Sequence, residues 1–218
     1  MWTRAQVGLV AHCLALPAAM LVLVPWLTTQ LGAQLGYLAV LLVYWLGFCL
    51  PVIVTHVRNR HEPGLFSERL RWRDWWVPLL LLAQVGMIAA VAFFPNTGLL
   101  TSMGLALAAL VAVINGPLEE TAWRGSFMTR FADRPRLGMW LGWLLFTLWH
   151  APLLLAQGIV FDGGWPALLG GSAVLGLLWS WIAWRTGSVF YVAIAHTLTN
   201  VLTFWVLFNA NGFVPPQA

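Results

Sequence analysis

Several side chains that can transfer protons or form ion pairs lie inside stretches of sequence that are otherwise strongly apolar. A charged side chain at the centre of a bilayer costs about 3 kcal/mol on insertion scales, so each needs a partner or a function. The residues of this kind are Glu119, Glu120, Arg124, His150, His196 and His12, and the uncharged amide of Asn200 lies near His196 in the sequence. His12 stands alone in the first stretch, and we expect it to make an ordinary contact between helices.

The fourth apolar stretch carries two consecutive acids followed by an arginine. Glu120 and Arg124 are four residues apart and share one helix face, where they can neutralise one another. Glu119 is rotated by about 100° from that pair, so it remains free to act as an acid or a base. The pair itself is open to two interpretations, a packed ion pair or a direct part in catalysis.

Two later stretches each bring a histidine to a similar depth. His196 projects together with Asn200, four residues on. His150 follows Phe146 at the same spacing, so that the aromatic ring can shield it from lipid. At 1.5 Å per residue from the helix ends nearest the arginines, Glu119 lies about 13 Å deep, His196 about 12 Å and His150 about 18 Å. The three helices therefore deliver a carboxylate and two imidazoles to one layer.

Such a layer supports the activation of water. A buried carboxylate can serve as general base, and a neighbouring imidazole can share the water or move its proton. A second imidazole with an amide supplies donors for a developing oxyanion. No serine has a Gly-x-Ser-x-Gly setting and no His-Glu-x-x-His zinc motif occurs, so this pattern indicates hydrolysis without a covalent nucleophile.

The composition requires these residues to be positioned by membrane helices. Of 218 residues, 61% are hydrophobic and 8% are charged, far below the charged fraction of soluble domains. A nucleic-acid-binding protein is excluded because the arginines form no basic stripe. We therefore predict an all-α, polytopic bundle that forms a single membrane domain over residues 1–218, with its motif-bearing core at about 99–208. The seven predicted spans are 6–27, 36–57, 76–94, 99–127, 138–156, 165–184 and 188–208.

Outside the spans, arginine occurs only before the first span and in every second connection, so all of these arginines fall on one side of the membrane. The connections at 28–35, 95–98 and 157–164 and the tail 209–218 contain no Lys or Arg. Cytoplasmic connections collect positive charge, which predicts a cytoplasmic amino terminus and an external carboxyl terminus. The absence of lysine and the abundance of Ala, Gly, Arg, Trp and Leu favour the inner membrane of a bacterium.

Three segments together resemble a known family. Glu119–Arg124, Phe146–His150 and His196–Asn200 are similar, in order, to the three motifs of the CAAX-processing and bacteriocin-processing intramembrane proteases, also called the Abi family. The resemblance covers roughly residues 115–202. It implies a membrane bundle with a polar cavity open toward the cytoplasm and laterally to lipid.

The resemblance also implies roles. Glu119 would be the general base, with His150 positioning or deprotonating the water, and His196 with Asn200 would stabilise the oxyanion. The supporting residues would be Glu120, Arg124 and Phe146. The implied activity is that of a glutamate-type endopeptidase without a cofactor, cutting a membrane-anchored or membrane-inserted substrate near the cytoplasmic surface of the bilayer.

Other interpretations remain open. One carboxylate and two imidazoles are also a plausible zinc set, which would make the protein a zinc-dependent membrane protease that uses the same residues. A non-catalytic scaffold or immunity protein could keep the pocket for binding alone. A proton-coupled transporter is a more distant possibility, since no broken-helix pair recurs in the two halves of the chain.

Overall fold

The structure is a computed structural model that describes residues 1–58 and 64–215. It contains seven helices long and apolar enough to cross a membrane, and no strand among the described residues. The predicted fold class is confirmed, and the observed helices contain or closely overlap the predicted spans. The helices are α1 Arg4–Leu31, α2 Ala33–Val57, α3 Trp72–Leu99, α4 Ser102–Arg130, α5 Pro135–Leu155, α6 Gly164–Thr186 and α7 Phe190–Ala210.

The connections meet at two opposite ends of the bundle. At one end, Val189 donates a backbone hydrogen bond of 2.8 Å to Leu65, and the side-chain amide of Gln6 donates a bond of 2.8 Å to the Asp133 carboxylate. At the other end, the side-chain oxygen of Asn211 accepts a bond of 2.7 Å from the α5–α6 connection. We call these the arginine-rich end and the arginine-poor end, after the sequence of their connections.

Helix α4 passes through Pro117 without ending. It is α-helical to Glu120, forms a π-helical turn over Thr121–Gly125, and is α-helical again to Arg130. In α2, a second π-helical turn begins at Trp45. Such turns change the direction in which side chains project and are frequent at functional sites. Both lie beside the polar residues of the bundle.

Helices α4 and α7 approach each other unusually closely. A Cβ atom at Gly116 would lie 2.3 Å from the hydroxyl oxygen of Thr197 and 2.9 Å from its backbone nitrogen. Only glycine allows this approach. Small residues commonly let helices pack closely in membrane bundles. The close contact brings the acids of α4 opposite His196 of α7.

The apolar residues pack into two clusters. The larger one joins α1, α2, α4 and α5, and includes Tyr44, Trp123 and Trp149. The smaller one joins α3, α6 and α7 near the arginine-rich end. The polar residues of α4 and α7 lie between the two clusters, held by rigid helices on both sides.

Candidate active site

Glu120 and Arg124 form the ion pair that their spacing predicts. Arg124 Nη1 lies 3.0 Å from Glu120 Oε1, and both side chains are buried. The guanidinium also donates to Ser180 Oγ at 3.2 Å and to the Gly176 carbonyl at 3.1 Å. Its Cζ atom lies 4.0 Å from the ring centre of Phe146. Arg124 therefore joins Glu120 of α4 to Gly176 and Ser180 of α6.

Glu119 is not the unpaired acid that the sequence suggested. Its Oε2 atom accepts a bond of 3.0 Å from Asn115 Nδ2 and lies 3.2 Å from His196 Nε2. The side-chain oxygen of Asn115 in turn accepts a bond of 2.7 Å from Trp45 Nε1. The expectation of a free carboxylate is corrected because α7 packs close enough to bring an imidazole to it.

His196 bridges the two acids. Its Nδ1 lies 2.7 Å from Glu120 Oε1, while Nε2 faces Glu119. The contact with Glu120 is a hydrogen bond, and it takes Nδ1 as its donor when that nitrogen carries the proton. Trp179 stacks on this ring at 4.2 Å between centroids. The imidazole is therefore held between two carboxyl groups and an indole.

His150 and Asn200 complete the group. His150 Nδ1 lies 2.8 Å from the Phe146 carbonyl, and when that nitrogen carries the proton, Nε2 keeps a lone pair. The side-chain nitrogen of Asn200 is buried and has no hydrogen-bond partner among the described residues. A buried donor without a partner costs about 1–3 kcal/mol. Asn200 is therefore ready to donate to a ligand.

One cavity joins the predicted residues. It has a volume of about 440 Å³ and is lined by Glu119, His150, His196 and Asn200, with Phe146 among its walls. Glu120 and Arg124 do not line this cavity; they contact the lining residues from behind, Glu120 through His196 and Arg124 through Phe146. His12 does not line it and faces His56, with 6.5 Å between the ring centroids.

The cavity extends from these residues toward the arginine-poor end. Its walls include Tyr37 near the start of α2, Leu207 near the end of α7, and Phe161 and Asp162 in the α5–α6 connection. The family resemblance implied a cytoplasmic opening, and the arginine distribution placed these connections outside. Those two predictions cannot both hold for this geometry.

Sequence reasoning gave no role to several residues that support the site. They come from helices without a motif: Trp45 and Tyr44 from α2, and Gln84 from α3. Trp123 Nε1 donates to the Tyr44 hydroxyl at 2.7 Å, which leaves the hydroxyl proton free for Glu119 beside it. Gln84 is a polar residue isolated in an apolar span, and this isolation was the feature of the sequence that could have indicated its part in the site.

Gln84 supports the site through two partners. Its oxygen accepts a bond of 3.3 Å from Trp179 Nε1, and its nitrogen donates one of 3.0 Å to Thr199 Oγ1. Trp179 is the residue that stacks on His196. Gln84 therefore supports the stacking partner of the His196 imidazole from a helix outside the motifs.

The described residues contain no group of three or more His, Cys, Asp and Glu side chains arranged to hold a metal ion. Both ring nitrogens of His196 are directed at carboxylate oxygens. A zinc ion bound there would have to displace one of these contacts.

Seven apolar helices enclosing a buried group of acids, histidines and an amide define an integral membrane protein with a polar intramembrane site. Residues 101–202 match the family model described as Type II CAAX prenyl endopeptidase Rce1-like. The match spans slightly less than half of the chain and includes all three motifs, and the resemblance seen in the sequence is confirmed. It supports a peptidase of the CAAX protease type. Comparisons with curated proteins and with solved structures returned no match.

Proposed function

We propose that this protein is an intramembrane endopeptidase that hydrolyses a peptide bond with water activated by Glu119. The observation that carries the proposal is one cavity lined by a carboxylate, two imidazoles and an unpartnered amide, in a chain whose motif segment matches a protease family. The membrane-spanning helices fit a membrane-associated substrate.

The proposed reaction needs no covalent enzyme intermediate. Glu119 takes a proton from water while His150 holds the water from the other side, and the water oxygen attacks the carbonyl carbon. The carbonyl oxygen becomes negative and accepts hydrogen bonds from Asn200 and from His196. Glu119 then returns its proton to the leaving nitrogen, and the C–N bond breaks to give a carboxylic acid and an amine.

The bridging position of His196 supports this order of events. In the resting site its Nε2 is held by Glu119 at 3.2 Å. Protonation of Glu119 removes the negative charge that holds the ring, which frees the N–H for the oxyanion. Glu120 and Arg124 keep the other ring nitrogen fixed during this change.

Glu119→Gln tests the function in cells because it keeps the shape of the side chain and removes the base. Cells with wild type, Glu119→Gln and Glu68→Gln are compared for the peptides released from their membrane proteins. Glu68 is exposed and outside the cavity, so its variant is the matched control. We expect a set of peptides that depends on Glu119 and not on Glu68. The same peptides from all three strains, at equal protein levels, would overturn the proposal and favour a binding protein.

Chelation separates this mechanism from the zinc alternative. We expect purified protein to keep its peptidase activity after prolonged treatment with a strong chelator, because no step of the proposed reaction uses a metal. Loss of activity on chelation, with recovery when zinc is restored, would establish the zinc-dependent protease instead.

A further inference from the structure

The cavity is lined by residues of both α3 and α6, and these two helices are in contact near the arginine-rich end. At the arginine-rich end, Trp76 and Trp181 lie 5.3 Å apart between ring centroids, and Arg185 pairs with Asp74 at 3.3 Å. Toward the arginine-poor end, residues of both helices line the cavity instead, including Val91 of α3 and Leu168 and Ser172 of α6. The cavity therefore lies between α3 and α6 over this stretch, and beyond it Asn96 of α3 donates a bond of 3.1 Å to Asp162, just before α6.

The path from the arginine-rich end to Glu119 is filled by packed side chains. Arg124, Phe146 and Trp179 are each no more than 4% exposed. A second cavity of about 140 Å³ starts there and reaches Arg124 and Ser180, but none of Glu119, His150, His196 and Asn200 lines it. The large cavity is thus the route that reaches the candidate catalytic residues.

We propose that the substrate reaches this site from the extracytoplasmic side, between α3 and α6. This inference rests on the proposed function and on the arginine distribution, which places the arginine-poor end outside the cytoplasm. The outer half of the bilayer is then the leaflet that faces the opening. The scissile bond itself has to reach deeper than that half, because Glu119 and His196 lie nearer the arginine-rich ends of α4 and α7.

The lining defines the chemistry of the occupant. Apolar residues, among them Val91, Leu168 and Phe204, form most of the route, and polar groups are concentrated at the end with Glu119 and Asn200. An apolar polypeptide segment anchored in the outer leaflet fits this gradient, because its side chains stay in contact with apolar walls while one peptide group meets the polar end.

Chemical labelling at Ser172 tests the route. Ser172 lines the cavity about 12 Å below the start of α6. The native cysteines are Cys13 and Cys49, both buried, so Cys13→Ala and Cys49→Ala give a background without thiols. Ser172→Cys in that background is treated with a charged methanethiosulfonate in right-side-out and in inside-out membrane vesicles.

We expect the thiol at position 172 to react at least about tenfold faster in right-side-out vesicles, because a charged reagent does not cross the hydrocarbon core. Val160→Cys and Ala132→Cys report the exposure of the two ends of the bundle, and should react from the outside and the inside respectively. Val174→Cys, on the same helix but outside the cavity lining, should react slowly from both sides. Faster reaction at position 172 from the cytoplasmic side, or no reaction there, would overturn the proposal.

The location of the released peptides provides a second measurement. Peptides that depend on Glu119 should appear outside the cytoplasm. Their appearance in the cytoplasm would contradict the route while leaving the peptidase function intact, whereas the absence of such peptides would contradict the function itself. Labelling at position 172 does not depend on activity, so the two failures are distinguishable.

Discussion

At the scale of single residues, the chemistry depends on how Glu119 is held. Asn115 bonds Glu119 on one side and receives a bond from Trp45 on the other. His196 holds the same carboxylate from α7. A base fixed from two helices is preorganised for proton transfer, which is how enzymes avoid reorganisation during the reaction.

Asn115→Ala removes the hydrogen bond to Glu119 without changing its charge. A hydrogen bond to a charged group contributes about 1.5–3 kcal/mol, so we expect kcat to fall roughly 10- to 100-fold. Steady-state kinetics with the released substrate measure the change. Asn96→Ala is the control, since Asn96 bonds Asp162 near the arginine-poor end and does not line the cavity. Equal kcat in the two variants would contradict the orienting role.

The residue scale is also where the sequence predicted most. The spacing of Glu120 and Arg124 predicted their ion pair, because two residues on one helix face meet whatever the tertiary structure. The contact between Glu119 and His196 joins two helices. This contact depends on how closely α4 and α7 pack, and the spacing of residues along one helix does not predict that distance.

At the scale of helices, α4 and α7 form the frame of the site. Their approach at Gly116 decides whether Glu119 and His196 are within contact distance. Interior packing does not tolerate an added methyl group against a backbone atom. One added methyl group at Gly116 is therefore enough to disturb the packing of α4 against α7.

Gly116→Ala should destabilise the protein by about 1–3 kcal/mol, because the new Cβ meets the backbone of Thr197. Thermal unfolding in detergent measures this loss. Gly86→Ala is the matched control, since a Cβ at Gly86 meets nothing within 4 Å and alanine favours helix. Similar unfolding temperatures for the two variants would show that α4 and α7 pack less closely than described.

Helix α3 contributes to the site through Gln84. Gln84→Met keeps the length of the side chain and leaves Trp179 Nε1 without its acceptor, whereas Thr199 Oγ1 keeps its bond to the Ala195 carbonyl. We expect a stability loss of about 1–3 kcal/mol for the unsatisfied indole N–H, together with a lower kcat because Trp179 stacks on His196. Gln157→Met, at an exposed side chain, is the control. A variant that loses stability but keeps kcat would limit Gln84 to a structural role.

At the scale of the whole molecule, the motif segment alone does not build the site. Residues 101–202 match the family model, but three residues before this segment, Tyr44, Trp45 and Gln84, contact the residues of the candidate site directly or through one neighbour. The sequence predicted seven spans because apolar length is a local property. It did not assign these residues to the site, because contacts between distant helices are not visible in spacing.

A chain divided after Leu100 tests this dependence. We expect residues 101–218 expressed alone to lack activity, and expression together with residues 1–100 to restore it at least in part. Membrane helices often associate after separate insertion, which makes the experiment feasible. Full activity of the second fragment by itself would show that α2 and α3 are dispensable for catalysis.

The most direct measurement of the central claim is the hydrolysis rate of purified Glu119→Gln on a peptide identified from the cellular comparison. Loss of a general base lowers kcat by about 10²- to 10⁴-fold. We predict a fall of this size for Glu119→Gln, with the same folded protein yield and with unchanged kcat for Glu68→Gln. A Glu119→Gln protein that cuts the peptide at the wild-type rate would contradict water activation by Glu119.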